Sequence, residues 1–408
     1  IFIDPTPDAA SSFAERQRLF NLPRSSWEDY NKELISKGGG IFSRSAKSIP
    51  INADIRKALD IEGNVKSLAP TELISHILKA PVDLLWNGGI GTYVKAESET
   101  HADVGDNGNN ALRINGKELR CKIIGEGGNL GFTQRGRIEF AQKGGLVSTD
   151  AIDNSAGVDS SDHEVNIKIL LNRIVENGDM TEKQRNKLLA EMTDEVAHLV
   201  LRHNEGQSHL LSLVNSRAPE RIADHWRLML SLVREGRLNR EIEFLPTDAQ
   251  MKKRMSKGQG LTRPEISVLL AYSKIKFAEQ LVDDGIGEDP DLRAQIKDYF
   301  PKPLVQRFSE HMIEHPLAQE IIAAHVTNNV GNRMGSTFTT YVQEETSASA
   351  LNVLRAYMAA EQMFDIPALW DAINELDFKV ENSLQNQLLI QIQSLLEKAT
   401  LWLIRNTR

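Results

Sequence analysis

From residue 178 to residue 408 the sequence carries almost no strand-like run, and this limits the possible folds more than any other feature. Leu188, Met192, Val196 and Leu199 recur at helical spacing, as do Ile266, Leu269 and Leu270, and later Leu384, Leu388 and Leu395. Thr181 with Gln184 has the spacing of a capping box, and so does Thr262 with Glu265, where Pro264 adds a second helix-start signal. Residues 178–408 therefore read as an all-helical domain.

Residues 1–177 follow a different pattern, in which strand-like and helix-like segments alternate as in an α/β domain. IFID is strand-like and ASSFAERQRLF helix-like. In SSWEDYNKELI, Ser25 and Glu28 have capping-box spacing, and LAPTELISHILKA is amphipathic and precedes the apolar VDLLW. ESETHADVGDNGNN reads as a loop, RCKIIGEG as a strand and TQRGRIEFAQKG as a helix. LVSTDAIDNSAGVDSSDHEVNIKILLNRIV reads as a short strand, a loop and a helix that Ser161 opens.

A chain of 408 residues is long for one core, which also favours two or more domains. The net charge of -8 argues against general nucleic-acid binding and suits a cytoplasmic protein. No apolar run approaches the ~20 residues of a membrane span, and no signal peptide is recognisable. The single cysteine, Cys121, lies at the head of an apolar run and reads as a buried, inert thiol. His163 has no second ligand at metal spacing, and His198 and His203 are out of helical phase, so no metal site is expected. The opening IFID, with no methionine before it, reads as a strand in progress and leads to the expectation that the chain is part of something longer.

Four loops have the composition of ligand sites. GEGGNLGFTQRGRIEFA spreads glycines and Asn129 over the turn after a strand, as a backbone does when something must approach it closely. WNGGIGTY, with Asn87 and Gly88, follows VDLL, and in open α/β sheets ligands sit beyond the carboxyl ends of strands. NSAGVDSSDHE places Asn154 before a small-residue turn, with Ser161 and Glu164 in S-x-x-E spacing. Ser161 then reads either as an N-cap or as a hydroxyl aimed at a carboxylate. KGGGIFSRSAK could cradle a phosphate, although no phosphate-binding helix start follows it. Asp4, after Ile1 to Ile3, stands where an acid holds the ribose hydroxyls of NAD and repels a 2′-phosphate; a turn initiator before Pro5 is the plainer reading. The glycine fingerprint of a dinucleotide site is missing: Gly125-x-Gly127 runs on to Leu130 and Gly89-x-Gly91 to Val94.

WNGGIGTYVKA, IGEGGNLGFTQRGRIEFA, IDNSAGVDSSDHEVNIKILLNRIV and, in the helical part, LTRPEISVLLAYSKIK together resemble the large multidomain NAD-specific glutamate dehydrogenases of bacteria. The resemblance implies an incomplete Rossmann-type doubly wound domain over residues 1–177, followed by the helical C-terminal domain. Against the smaller hexameric glutamate dehydrogenases, Glu126-Gly127-Gly128-Asn129 is similar to their EGAN segment, and Asn154 to Glu164 to their NAGGV-x-x-S-x-x-E segment. It implies that Asn129 and Asn154 lie around the nicotinamide and its ribose and that Ser161 contacts a carboxylate of L-glutamate; together with the loop positions above, the residues expected to hold NAD are Asp4, Asn87, Gly88, Gly127, Gly128, Asn129 and Asn154. The implied reaction yields 2-oxoglutarate and ammonia. The lysine and aspartate of the chemistry are expected in an upstream segment of the same enzyme, leaving this part inactive alone. A homo-oligomer is expected. Two other classes stay open: another Rossmann-type enzyme such as a methyltransferase, and a non-enzymatic assembly module.

Overall fold

The computed structural model describes residues 1–406 and confines their strands to the first of two compact units, Ile1–Asp150 and Ala151–Arg408. In that unit β1 (Phe2–Ile3) pairs antiparallel with β2 (Gly40–Ile41), and β3 (Ile49–Pro50) antiparallel with β4 (Ser67–Leu68). Then come β5 (Leu84–Asn87), β6 (Val94–Lys95), β7 (Ile114–Asn115) and β8 (Ile123–Glu126). β5 runs parallel to β8 and β6 parallel to β7, and a single parallel bridge from Ile123 to Leu146 extends the first pair. The architecture is thus a mixed unit with small sheets ahead of a helical unit. The strand of IFID is present but antiparallel, so Asp4 leaves an antiparallel pair.

Helix starts in this unit follow local chemistry. Asp8 accepts the Ser11 amide at 2.9 Å and caps the helix Ala9–Asn21. Pro70 opens Pro70–Leu78, with Glu72 reaching back to the Ala69 amide at 2.9 Å. The box expected at Ser25 and Glu28 forms one residue later, between Ser26 and Asp29, around the short turn Trp27–Asp29. ESETHADVGDNGNN is more ordered than a loop, because Thr100 and Asp103 cap each other's backbone and start the helical turn His101–Val104. The glycines of KGGGIF feed β2: a Cβ on Gly39 would stand 2.6 Å from the Ile3 carbonyl oxygen.

Two cores fill the unit. Ile3, Ile49, Ile55 and Leu73 make one, and Val94, Ile114, Ile124, Phe132 and Phe140 the other. Side chains alternate across β5 and β8. Ile124 is buried, whereas Leu84, Trp86, Ile123 and Leu146 are 53%, 62%, 44% and 50% exposed. Leu84-Leu85-Trp86 and Ile123-Ile124 are apolar without alternation, as in parallel strands covered on both faces, yet only one face is covered here.

The second unit is built from long helices, among them Ser155–Glu176, Thr193–Ser216, Arg263–Asp283, Ala318–Met334, Ala350–Met363 and Asn382–Asn406. Ser155–Glu176, assigned to the first domain on sequence, packs in the second unit because Ile167, Leu170, Leu171 and Ile174 enter its largest core. Thr181 and Gln184 form their box, and so do Thr262 and Glu265 with Pro264 in the first turn. The repeat Leu188, Met192, Val196, Leu199 spans two helices, Glu182–Glu191 and Thr193–Ser216, that meet at Met192. Leu384, Leu388 and Leu395 do lie on a helix but on its outer face, while Leu389, Ile392 and Leu396 are buried. Leucines occupy both faces of that helix, so spacing reveals its period and not its phase. No helix among the described residues is long and apolar enough to cross a membrane.

Leu171 is fully buried and Leu388 is on the outer face. Leu171→Ala is expected to destabilise the helical unit by about 2–5 kcal/mol, and Leu388→Ala by no more than about 0.5 kcal/mol. Urea unfolding followed by circular dichroism distinguishes the two.

Candidate functional site

The loops that follow the parallel strands β5 and β8 meet, and glycine allows it. A Cβ on Gly128 would lie 2.6 Å from the Gly89 carbonyl oxygen, and one on Gly131 would overlap Asn87 Nδ2. Gly125 and Gly127 lie under the Trp86 ring, where a Cβ would come within 2.5 and 2.6 Å of it. The close approach expected at GEGGNLG is therefore made first by the neighbouring loop. The Gly128 amide donates to the Asn87 carbonyl at 3.0 Å.

A buried ion pair anchors the turn. Glu126, the last residue of β8, is completely buried and takes a two-pronged contact from Arg137, with Nε to Oε2 at 2.6 Å and Nη2 to Oε1 at 2.9 Å. Arg137 projects from the helix Gln134–Gln142, whose start is capped by Thr133 Oγ1 accepting the Gly136 amide at 3.0 Å. Arg137 Nη2 also lies 3.1 Å from Asp150 Oδ1, and Asp150 Oδ2 accepts the Leu130 amide at 2.8 Å. That amide belongs to a residue held in the left-handed region, at φ 58°. Arg137 counters a local acid deep in the unit, whereas Arg135 is exposed.

Asn87, Gly88, Gly127, Gly128 and Asn129 are brought together by this loop pair. Asn87 is 8% exposed, and its Nδ2 is a buried donor with no hydrogen-bond partner. Asn129 is exposed. An unanswered donor beside closely packed glycines, beyond the carboxyl ends of two parallel strands, fits an oxygen-bearing ligand such as the nicotinamide half of a dinucleotide. Asp4 is elsewhere in the first unit. Its Oδ1 accepts the Ser36 amide at 3.1 Å and the Ser36 hydroxyl, while Oδ2 is buried without a partner. Cys121 is buried, and burial pushes its thiol pKa up, away from nucleophile behaviour. Lys122 is exposed and pairs with Asp83 at 2.7 Å.

Asn154 and Ser161 belong to the second unit. Asn154 directly precedes the helix Ser155–Glu176. Ser161 does not open that helix. It lies inside it, exposed, with Oγ donating to the Gly157 carbonyl at 3.2 Å, and Glu164 pairs with Lys168 instead of capping. The helix begins at Ser155 because Ser155-Ala156-Gly157 takes helical form, where the sequence suggested a small-residue turn. Ser155 Oγ accepts Asn204 Nδ2 at 2.9 Å, fixing this first turn to the helix Thr193–Ser216. The same unit gathers Asp159, His163 and His203, with one possible ligand atom of each within 4.8 Å of the others. Sequence reasoning missed this group: Asp159 and His163 are four apart on one helix face, but His203 arrives from another helix and leaves no local signal.

Residues 1–214 match the family model described as "Bacterial NAD-glutamate dehydrogenase, catalytic domain", and residues 258–408 match "Glutamate dehydrogenase, C-terminal". The chain is 53% identical over 408 residues to a protein of Pseudomonas aeruginosa named NAD-specific glutamate dehydrogenase. It is 49% identical over 405 residues to a Halomonas elongata protein of that name and 43% identical over 408 residues to one of Mycobacterium tuberculosis. Each alignment covers 99–100% of this chain and 25% of the relative, so the chain spans a quarter of the length of the proteins it matches.

Arg137→Met leaves Glu126 buried and without its ion partner. It is expected to lower the stability of the first unit by about 3–5 kcal/mol. The double change Glu126→Gln with Arg137→Met recovers part of the loss. Denaturant midpoints of the two variants measure both effects.

Proposed function

We propose that this chain, which belongs to the bacterial NAD-glutamate dehydrogenase family, supplies the nicotinamide side of the coenzyme site in a longer enzyme that oxidises L-glutamate to 2-oxoglutarate and ammonia. The observation that carries the reading is the buried Asn87 donor without an acceptor, set in the loops after β5 and β8. Bound NAD supplies the hydride acceptor. Asn87, Gly88, Gly127, Gly128 and Asn129 hold its nicotinamide half, with Asn87 Nδ2 donating and the exposed Asn129 both donating and accepting. Asp4 directs its unpartnered Oδ2 to ribose hydroxyls. Asn154 is assigned to the coenzyme and Ser161 to a glutamate carboxylate by the family resemblance. The Ser161 hydroxyl is exposed, and its one proton, now donated to the Gly157 carbonyl at 3.2 Å, turns outward to donate to that carboxylate.

In this reading the first unit is the incomplete Rossmann-type domain. The parallel pair β5–β8 with a bare apolar face supports that, since doubly wound sheets are covered on both faces. The residues that polarise the carbonyl and move protons belong to another segment of the enzyme, within the three quarters of the relatives' length that this chain does not span. The outward stripe of Leu384, Leu388, Leu395 and Trp402 supports a homo-oligomer. The family match sets the methyltransferase reading aside.

The isolated 408 residues, assayed with glutamate and NAD, are expected to show no turnover. In the full-length enzyme Asn87→Ala should raise the KM for NAD by roughly five- to tenfold, the worth of one hydrogen bond, without lowering the melting temperature. Turnover by the isolated chain, or an unchanged KM for NAD, overturns the reading. Ser161→Ala should raise the KM for glutamate and leave that for NAD alone; an unaffected glutamate KM removes the substrate role.

A further inference from the structure

The helical unit contains a group of side chains for which the coenzyme reading has no use. Asp159 and His163 lie one turn apart on Ser155–Glu176, and the packed helix Thr193–Ser216 delivers His203 to the same place. His203 Nδ1 is 2.8 Å from Asp159 Oδ2, and His163 Nε2 is 3.9 Å from Asp159 Oδ1. The two imidazoles are nearly parallel, with ring centres 5.9 Å apart.

His163 is the decisive residue. Its side chain is completely buried, and neither ring nitrogen has a hydrogen-bond partner. Natural interiors rarely leave such a group unsatisfied. Its ring is also held in orientation. Tyr299 stacks on it at 4.5 Å, and the Tyr299 hydroxyl donates to Asp162 at 2.7 Å and accepts from Asn166 Nδ2 at 2.9 Å. A locked imidazole with vacant nitrogens beside a carboxylate and a second imidazole is the donor set of a metal centre with an oriented ligand. His203 and His325 line a cavity of about 840 Å³, which gives the group access to solvent.

We propose that Asp159, His163 and His203 bind one divalent transition-metal ion of the Zn²⁺ type through two imidazoles and one carboxylate, with a fourth position for water. Two nitrogen donors and a single carboxylate select against Mg²⁺ and Ca²⁺, which take oxygen ligands. Donor atoms around tetrahedral Zn²⁺ lie about 3.3 Å apart, given bonds of about 2.0–2.1 Å. The present group therefore needs an inward shift of about 1 Å, taken up by the partly exposed Asp159 and His203 while His163 stays as the anchor. The site does not depend on the coenzyme reading.

The test strips the 408-residue chain with a chelator and titrates it with Zn²⁺ by calorimetry, and with Co²⁺ by visible absorption. One Zn²⁺ per chain is expected, with a raised melting temperature and Co²⁺ absorption that is lost on adding Zn²⁺. His203→Ala and Asp159→Asn should each weaken Zn²⁺ binding at least about tenfold, since even changes one shell further out cost about 10- to 100-fold. His198→Ala, on the same helix as His203, should bind as the parent does. Circular dichroism confirms that the variants fold. The absence of saturable Zn²⁺ uptake, or equal uptake by the parent, His203→Ala and Asp159→Asn, overturns the proposal and leaves Asp159 and His203 as a simple hydrogen-bonded pair.

Discussion

The turn after β8 depends on a charge pair sealed inside the first unit. Glu126 ends the strand, Arg137 rises from the next helix, and neither is in contact with water to any useful extent. Desolvating both ions is costly, and an apolar pair of similar volume could be as stable. What the pair adds is direction. A fork-shaped cation engages both carboxylate oxygens in one orientation and extends to Asp150, whose other oxygen fixes the Leu130 amide. Strand end, helix start and the left-handed residue between them are thereby locked together, and the loop bearing Asn129 cannot drift.

The glycines around this clamp serve a purpose that their spacing does not reveal. The sequence implied a backbone exposed to a close visitor. The structure gives two of them the Trp86 ring and another the Gly89 carbonyl as neighbours. Close approach is thus a property of the loop pair before any ligand arrives. Asn87 remains as the group whose hydrogen bonding the protein leaves incomplete.

Legibility followed the range of the interactions. Boxes such as Thr181 with Gln184 and Thr262 with Glu265 are written within four residues and appear as expected. The strands at Leu84–Asn87 and Ile123–Glu126 were visible as apolar runs ending in glycine. Four features were not visible. Ser161 resembled a helix start because a capping spacing and an interior spacing are identical in sequence. The outward face of Asn382–Asn406 was hidden because both faces carry leucine. The clamp and the histidine group join residues 11 and 44 positions apart, and only the packing of whole elements brings such residues together. On the candidate coenzyme side, the loop residues were legible by resemblance, while the unsatisfied state of Asn87 needed coordinates.

Trp86 lies with one side over glycine backbone and the other in water. An indole divided in this way is a built-in optical gauge of its own loop. Any body that settles over β5–β8, a planar heterocycle or a helix from elsewhere in the polypeptide, replaces water at the ring and so alters its emission. The chain carries four other tryptophans, but this one is positioned where occupancy and covering would both be read as light.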